Sequence, residues 1–281
     1  MKVRKCIIPV AGLGTRFLPI TKSVAKEMLP IIDIPTIEYI VDEAINSGIE
    51  EILFVTNPYK KIIEDYYDHN YELEDKLEKK NKVNELNLIK DIPNKCKFYF
   101  LRQGEPLGTG HAVKMCEEFI DNEPFAVMYG DDIIDAEIPT LKQMIDIYDE
   151  YDANVLCAYE LPEAEISSKG IVAYENDSLK VSNLVEKPKL EDAPSKDGTL
   201  GRYIFKPIVF ESLKNLELKN GEYLLTDAIL SLIKDDLVYA CKVKGQYYDL
   251  GSKLGYIKAN IHYALKRDNL KTELKDYIDK L

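Results

Sequence analysis

A strand pattern, an amphipathic helix pattern and a second strand pattern follow one another at the start of the chain. The run VRKCIIPV ends at Val10, a helical pattern covers residues 35–47, and the run EILFVT ends at Thr56. Pro35 and Gly48 flank the helical segment as start and stop signals. One face of that segment is apolar and carries Ile37, Ile40, Val41, Ala44 and Ile45. Because this face must pack on a sheet, the pattern predicts a β-α-β unit.

The same alternation continues along the chain. It predicts strands at KFYFLR, PFAVMY and ANVLCAY, with helices at residues 109–120 and from Thr140. Two further strands, LGRYIF and LVYACKV, enclose the helical run LTDAILSLI. The runs GIVAY and KVSNLVEK, joined by Asn176 and Asp177, predict a hairpin that forms a rim over the sheet. The fold class is therefore α/β, with a mainly parallel sheet flanked by helices, a small β-hairpin rim and C-terminal helices over 252–281.

One segment interrupts this rhythm. Residues 60–91 hold nine acidic and seven basic residues, with isolated Ile and Leu residues between them. Such a mixture predicts solvent-exposed amphipathic helices inserted into the fold. Because no repeat or low-complexity tract divides the sequence, we interpret residues 1–281 as a single domain.

The charge balance and the cysteines exclude several classes of protein. There are 49 acidic and 37 basic residues, a net charge of -12, and such a surface repels nucleic acid. No apolar run has the length of a signal-peptide core or a membrane span, so we expect a cytoplasmic protein that binds no membrane. The five cysteines form no C-x-x-C pair and read as buried free thiols. None of the three histidines has zinc-ligand spacing with a cysteine.

The strongest chemical signal is the segment PVAGLGTRFLPITKSVAKEMLP, in which a buried strand leads into Gly12, Gly14 and Thr15. Glycines allow a close approach of the backbone, whose N–H groups can cradle phosphate oxygens. Arg16 and Lys26 would add charge-assisted hydrogen bonds to a triphosphate. The segment lacks the Gly-Lys-Ser/Thr of a Walker loop and the third glycine of a dinucleotide fingerprint. It therefore indicates an anionic nucleotide held by a different kind of loop.

This segment resembles the signature of the sugar-1-phosphate nucleotidylyltransferases, a family with a Rossmann-like α/β fold. Four further segments occur in the order that the resemblance implies: QGEPLGTGHAV, MYGDDI, LVEKP and YYDLGSKLGY. Within the family, KEMLP, the charged insertion with YELEDKLEKK and the ending YDLGSKLGYIKANIHYALKR resemble the bacterial members that act on UTP and glucose-1-phosphate. The resemblance spans essentially the whole chain. It implies transfer of a nucleotidyl group from UTP to glucose-1-phosphate, giving UDP-glucose and pyrophosphate.

The resemblance also implies a role for individual residues and a Mg²⁺ cofactor. Catalytic roles fall to Arg16 and Lys26, and the metal ligands are Asp131 and Asp249. The implied nucleotide-binding residues are Ala11, Gly12, Gly14, Thr15, Glu27, Gln103 and Gly108. The implied sugar-phosphate-binding residues are Gly170, Glu186, Lys187 and Gly201. A homodimer or homotetramer is expected, with residues 60–91 and the C-terminal helices as candidate contact surfaces.

Read without the family, several of these residues have ordinary structural interpretations. Asp132 is either a partner of the metal site or a turn former at a strand end. Glu186 and Lys187 could be a surface ion pair, and His111 is most simply a histidine at a helix start, to which we assign no chemistry. SSKG stands where the resemblance leads us to expect a tyrosine-glycine pair.

Rival functions also remain open. They are the same reaction with dTTP or another sugar-1-phosphate, a metal-dependent glycosyltransferase and a non-catalytic nucleotide-sugar sensor.

Overall fold

The computed structural model describes residues 1–281 and contains thirteen strands, nine of which lie close to the positions that the sequence predicts. Their bounds, in chain order, are β1 Lys5–Pro9, β2 Pro30–Ile31, β3 Ile34–Pro35, β4 Glu51–Thr56, β5 Lys97–Arg102, β6 Phe125–Met128, β7 Asp132–Asp135, β8 Asn154–Glu160, β9 Gly170–Tyr174, β10 Val181–Glu186, β11 Asp197–Phe205, β12 Val238–Lys242 and β13 Gln246–Asp249.

Eleven α-helices connect these strands, together with several short 3₁₀ turns. Their bounds are α1 Thr36–Asn46, α2 Lys61–Tyr66, α3 Tyr71–Lys79, α4 Val83–Ile89, α5 Thr109–Lys114, α6 Glu117–Ile120, α7 Thr140–Tyr151, α8 Val209–Lys214, α9 Leu225–Asp235, α10 Lys253–Leu265 and α11 Asp268–Ile278. None of the helices is both long and apolar enough to cross a membrane.

Nine strands form one central sheet. Strands β5, β4, β1 and β6 lie side by side in that order and run parallel. Beyond β6 the long strand β11 runs antiparallel to β6, β8 and β9, whereas β12 runs parallel to β8. The half of the sheet that leads into the glycine loop is thus purely parallel, as βα alternation requires. This arrangement confirms the predicted α/β class.

Helices cover both faces of the sheet. Successive residues of β1 point to opposite faces, so that Cys6 and Ile8 join one hydrophobic cluster and Ile7 joins the other. The first cluster receives apolar residues from α1, α7 and α10, and the second receives them from α5, α8 and α9. Four of the five cysteines are buried and Cys96 is partly buried, and all five are free thiols, as predicted.

Three details differ from the sequence prediction. The hairpin β9–β10 pairs through β9 with β11 and so extends the main sheet, rather than lying over it. The single helix predicted over 109–120 is broken between Lys114 and Glu117, although both pieces bury the same apolar face. Strands β7 and β13, which form a separate antiparallel pair, were not predicted, because each has only four residues and its partner is distant in sequence.

The charged segment 60–91 folds into α2, α3 and α4, and its side chains are largely exposed, which agrees with the prediction of solvated amphipathic helices. The C-terminal segment forms α10 and α11. Helix α10 packs against the loop that follows β1, where the ring of Tyr256 meets that of Phe17 edge-on at 5.6 Å and its hydroxyl donates to Pro30 O at 2.5 Å. The backbone N–H of Ile32 donates to Asn260 Oδ1 at 2.9 Å. Helix α10 thus holds in place the loop that follows β1.

Candidate active site

The predicted site residues lie at one edge of the sheet. The glycine loop follows β1, and the turn that carries Asp131 follows β6, its parallel neighbour. Since parallel strands end at the same edge, both segments open into one cleft there. Two adjoining cavities occupy this cleft, one beneath the glycine loop and one among carboxylates.

The first cavity, which we call the glycine-loop cavity, has a volume of about 460 Å³. Gly14 begins a tight 3₁₀ turn with φ +66°, a conformation that favours glycine, and its carbonyl accepts a hydrogen bond from Thr21 Oγ1 at 2.8 Å. Lys26 projects into the same space. All seven residues predicted to bind nucleotide line this cavity: Ala11, Gly12, Gly14, Thr15, Glu27, Gln103 and Gly108.

Glu27, predicted to bind nucleotide, has its carboxylate engaged within the protein. Its side chain is buried, and both of its carboxylate oxygens accept hydrogen bonds from Lys60 Nζ at 2.8 and 2.7 Å. Burial raises the pKa of Glu27 and lowers that of Lys60, because it disfavours the charged form of each group. Glu27 thus forms part of the cavity wall, with its carboxylate committed to Lys60, a residue that no sequence motif singles out.

The second cavity, which we call the acidic cavity, has a volume of about 390 Å³. Six residues predicted for catalysis, metal binding or sugar binding line it: Arg16, Asp131, Asp249, Gly170, Glu186 and Gly201. Asp131 also lines the glycine-loop cavity, as does Tyr129, so the two cavities meet at these residues. The side chains expected to serve a nucleotide and a sugar phosphate therefore adjoin each other.

Asp131 and Asp249 come together through the unpredicted strand pair. Asp249 ends β13 and lies opposite Asp132, the first residue of β7. The next residue, Leu250, donates its backbone N–H to Asp131 O at 2.8 Å. The two aspartates, 118 positions apart in sequence, thus face one cavity. A Cβ at Gly251 would lie 2.4 Å from Arg16 Nη2, so a side chain there would displace the guanidinium from its present position.

The charges at the junction of the cavities are paired. Lys26 Nζ donates to Asp131 Oδ2 at 2.5 Å. Burial alone would lower the pKa of Lys26, but the carboxylates of Asp131 and Glu27 outweigh it and raise that pKa. Burial likewise opposes ionisation of Asp131, yet Lys26 and Arg16 hold its pKa below the ordinary value. Lys26 is therefore a cation and Asp131 an anion at neutral pH.

The donor set suits a hard divalent cation. Asp131 Oδ1 and Asp249 Oδ2 accept no hydrogen bond from the protein, whereas the other oxygen of each carboxylate is held by Lys26 and by the Gly251 N–H. No cluster of three or more His, Cys, Asp or Glu side chains could hold a metal ion alone. Two carboxylate oxygens that leave the remaining positions to phosphates and water match the preference of Mg²⁺.

Asp132 belongs to the support of the site. It is buried, and it accepts hydrogen bonds from Gly201 N at 3.0 Å and Tyr247 Oη at 2.6 Å. Burial, with the neighbouring charge of Asp131, raises its pKa. Gly201 cannot carry a side chain here, because a Cβ would lie 2.5 Å from the ring of Tyr129 and 2.6 Å from Asp132 Oδ2. Of the two alternatives left open for Asp132, the geometry favours a positioning role.

Two lysines near the acidic cavity differ from the prediction. Lys187, predicted to bind the sugar phosphate, has φ +47° and an exposed side chain that lines neither cavity, with Nζ 3.7 Å from Glu186 Oε1. Lys169, which was not predicted, lines the acidic cavity and donates to Tyr247 Oη at 2.8 Å. The only signal for Lys169 in the sequence was the departure SSKG.

Comparison with known proteins places this site in a family. Residues 5–266 match the family model described as nucleotidyl transferase. A UTP–glucose-1-phosphate uridylyltransferase of Staphylococcus saprophyticus is 45% identical over 282 aligned residues, covering 99% of this chain and 98% of that protein. A Streptococcus pyogenes protein of the same description is 47% identical, covering 100% of this chain and 96% of its own.

Solved structures agree with these relatives. The UTP-bound UGPase from Acinetobacter baumannii has a TM-score of 0.93 and 39% identity, with both chains covered completely. A UDP-glucose pyrophosphorylase complexed with UDP-glucose has a TM-score of 0.85 and 40% identity, over 95% of this chain and 100% of that one. The chain therefore belongs to the nucleotidyl transferase family and, within it, to the UTP–glucose-1-phosphate uridylyltransferases.

Proposed function

We propose that this protein transfers the uridylyl group of UTP to glucose-1-phosphate, giving UDP-glucose and pyrophosphate. The observation that carries the proposal is that Asp131 lines both cavities, so that a nucleotide in one and a sugar phosphate in the other would meet beside one carboxylate. Relatives described as performing this reaction, and related structures bound to UTP and to UDP-glucose, support it. Membership of this family favours nucleotidyl transfer over glycosyl transfer.

In this proposal the nucleotide lies in the glycine-loop cavity. The backbone from Ala11 to Thr15 cradles its phosphates, and Gln103 with Gly108 receives the base. Arg16 and Lys26 neutralise charge on the departing pyrophosphate, since both are cations at the junction of the cavities. Burial strengthens these interactions, because the effective dielectric constant in the cleft is lower than in water.

The acidic cavity would hold the sugar phosphate. Glu186 accepts hydrogen bonds from sugar hydroxyls, and Gly170 and Gly201 let the backbone approach the ring. We assign the phosphate to Lys187 and Lys169 together, since Lys169 lines the cavity and Lys187 directly follows Glu186, which also lines it. The attacking phosphate oxygen is already ionised at neutral pH, so alignment and charge neutralisation suffice and no general base is needed.

Asp131 and Asp249 would hold Mg²⁺ through their two unpartnered carboxylate oxygens. When bound, the ion supplies charge neutralisation and orientation to the phosphates of the nucleotide. Lys26 would then remain beside Asp131 and share that carboxylate with the ion. A chelator should abolish product formation, and added Mg²⁺ should restore it.

The direct test measures pyrophosphate release by the purified protein with a panel of nucleoside triphosphates and sugar-1-phosphates in the presence of Mg²⁺. We expect the highest kcat/KM with UTP and glucose-1-phosphate, and UDP-glucose as the second product. Faster reaction with dTTP or with another sugar-1-phosphate would replace the substrate assignment but keep the reaction class. Absence of pyrophosphate release with every pair would contradict the proposal and favour a binding protein.

Substitution of Lys26 tests the assigned charge roles. Lys26→Ala should lower kcat by about 100-fold or more, because it removes a cation from the departing phosphates in a buried cleft. The KM for glucose-1-phosphate should change much less. Lys22→Ala is the matched control, since Lys22 lies on the same loop, is exposed and lines neither cavity. An unchanged kcat for Lys26→Ala at saturating UTP and Mg²⁺ would remove Lys26 from the chemistry.

The expected homodimer or homotetramer stays a prediction, as does the single-domain organisation. Sedimentation velocity at several protein concentrations tests the first. A single cooperative unfolding transition, coincident by fluorescence and circular dichroism, is expected for one domain.

A further inference from the structure

Gln103 is held in one orientation at the wall of the glycine-loop cavity. The residue is 3% exposed, and its backbone N–H donates to Thr56 O at 2.8 Å at the end of β4. Its Nε2 donates to Gly108 O at 3.2 Å and lies 2.8 Å from His111 Nδ1. Because a backbone carbonyl can only accept, the contact with Gly108 identifies the atom facing it as nitrogen.

These two contacts use both hydrogens of the Gln103 amide. One goes to Gly108 O, so the other goes to His111 Nδ1, which must present a lone pair. The ring of His111 is then neutral and carries its proton on Nε2. Burial and the nearby charge of Lys114 lower the pKa of His111, against a smaller opposite effect of Glu105, which agrees with a neutral ring.

The opposite end of the amide is free. Gln103 Oε1 accepts no hydrogen bond from the protein, and it is not among the polar atoms sealed from solvent without a partner. Since the residue lines the glycine-loop cavity, this oxygen is what Gln103 offers to a bound base. An amide whose hydrogens are both committed can accept from a ligand but cannot donate to it.

Such an acceptor distinguishes between pyrimidines. Uracil carries an N–H at ring position 3, which can donate to Oε1. Cytosine has a lone pair at the same ring position, so its binding would place two acceptors against each other. A buried polar group left unpaired, or opposed by a like group, costs more than the same mismatch in water. Thymine has the same ring N–H as uracil, and this feature does not separate the two.

We propose that His111 is a positioning residue that, together with the Gly108 carbonyl, fixes the Gln103 amide as an acceptor and thereby selects triphosphates of bases with a ring N–H, uracil over cytosine. The inference deepens the proposed function and rests on it. His111 need not touch the substrate, and it takes part in no proton transfer. Selection against dTTP, where it occurs, must come from other contacts.

The test compares kcat/KM for UTP with kcat/KM for CTP, at saturating glucose-1-phosphate and Mg²⁺, in the wild type and in His111 variants. His111→Leu introduces an apolar side chain of similar size that has no acceptor, so that only the longer contact with Gly108 O, at 3.2 Å, still orients the Gln103 amide. The UTP/CTP ratio should fall by about tenfold or more, the effect of losing one buried hydrogen bond that fixes an orientation. His111→Asn, whose Oδ1 can take the place of Nδ1, should restore most of the ratio.

Tyr223→Phe is the matched control, because the Tyr223 ring stacks on His111 with centroids 6.1 Å apart and Phe preserves the ring. Its ratio should equal that of the wild type. The inference would be overturned if folded His111→Leu kept the wild-type UTP/CTP ratio of kcat/KM. It would also be overturned if His111→Asn had a ratio as low as that of His111→Leu. Wild-type protein with no UTP activity would instead overturn the proposed function.

A measurement on the wild type keeps the inference falsifiable if His111→Leu does not fold. The ¹⁵N chemical shifts of the His111 ring, assigned by their loss in His111→Asn, should show a neutral ring protonated on Nε2 at neutral pH. A ring protonated on Nδ1, or on both nitrogens, would contradict the proposed orientation of Gln103.

Discussion

Gly12 and Gly14, two residues apart in the glycine loop, are glycines for different reasons. Gly14 has φ +66°, and a Cβ there would lie 3.2 Å from Lys26 Cβ, so its backbone conformation and the space beside it both restrict a side chain. Gly12 has nothing within 4 Å of a built Cβ and no positive φ. A side chain at Gly12 would point into open space in the cavity where we place the nucleotide.

This contrast gives a paired prediction. Gly12→Ala should leave the free energy of unfolding within about 0.5 kcal/mol of the wild type, because no strain arises. Its KM for UTP should nevertheless rise about tenfold, since the methyl group meets the ligand. Gly14→Ala should lower the free energy of unfolding by about 1–2 kcal/mol. Urea unfolding and steady-state kinetics measure both effects, and equal destabilisation by the two substitutions would contradict this interpretation.

Lys169 gives a second prediction at this scale. Lys169→Met should raise the KM for glucose-1-phosphate about tenfold, the effect of losing one charge-assisted hydrogen bond to a phosphate. The KM for UTP should change little, because Lys169 lines the acidic cavity and not the glycine-loop cavity. Steady-state kinetics with each substrate varied in turn measures this. Lys187→Met is the comparison, and an effect confined to Lys187 would remove Lys169 from substrate binding.

At the level of residues, the sequence located most of the candidate site. Fourteen of the fifteen residues named from motifs line one or both cavities, and only Lys187 does not. A motif identifies a site residue when the residues beside it in the sequence also follow a recognisable pattern. Lys169, Lys60 and Arg202 lie in no distinctive motif, because the residues that each of them contacts come near only when the chain folds.

At the level of elements, Arg202 joins β11 to α1 and to the turn between β6 and β7. It is completely buried in β11 and pairs with Glu43 of α1, with Nη2 to Oε2 at 3.0 Å. The same nitrogen donates to Asp132 O at 2.6 Å, and Nη1 donates to Tyr129 O at 3.3 Å. The guanidinium therefore fixes the turn that carries Asp131 between the sheet and α1.

Replacement of this side chain should be costly. Arg202→Met should lower the free energy of unfolding by about 3–5 kcal/mol, because it leaves the Glu43 carboxylate unpaired in a largely buried position. Urea unfolding at neutral pH measures this loss of unfolding free energy. Lys142→Met, which removes an exposed pair with Asp146, should change stability by less than about 0.5 kcal/mol. Loss of less than about 1 kcal/mol in Arg202→Met would contradict a supporting role.

Elements were predictable where a long pattern specified them. The strands of the parallel half were found at nearly their observed bounds, since each is a buried run between helices. The pair β7–β13 was not found, because residues 132–135 and 246–249 are short and meet only across the folded chain. Yet this pair unites the two predicted metal ligands. The motifs named the aspartates, and tertiary structure alone placed them together.

For the whole molecule, the acid limit of stability depends in part on Glu123. Arg4 donates to both carboxylate oxygens of Glu123, at 2.5 and 2.7 Å, and Lys5 Nζ lies 3.0 Å away. The hydrogen bonds from Arg4 are the largest effect and lower the pKa of Glu123 to about 2. The pair ties the start of β1 to the residues before β6.

Because the folded-state pKa lies below the value near 4.5 of a free glutamate, ionised Glu123 stabilises the fold above about pH 4.5. That contribution is lost as the pH falls from about 4.5 towards about 2. Glu123→Gln should therefore be less stable than the wild type at neutral pH, and the difference should shrink at about pH 3.5. Urea unfolding at both pH values measures this. Glu118→Gln, at an exposed carboxylate without an ion pair, should show no such pH dependence.

The contacts between α10 and the loop after β1 have a consequence for biosynthesis. The hydrogen bonds of α10 join residues separated by 226 and 228 positions, and the nearby pair of Arg267 with Asp33 spans 234. During translation, the glycine loop is therefore synthesised long before Tyr256, Asn260 and Arg267, the residues that hold the loop after β1 in place. Chains stalled before Tyr256 should fail to retain nucleotide, however well their early strands have formed, and affinity should emerge only late in translation.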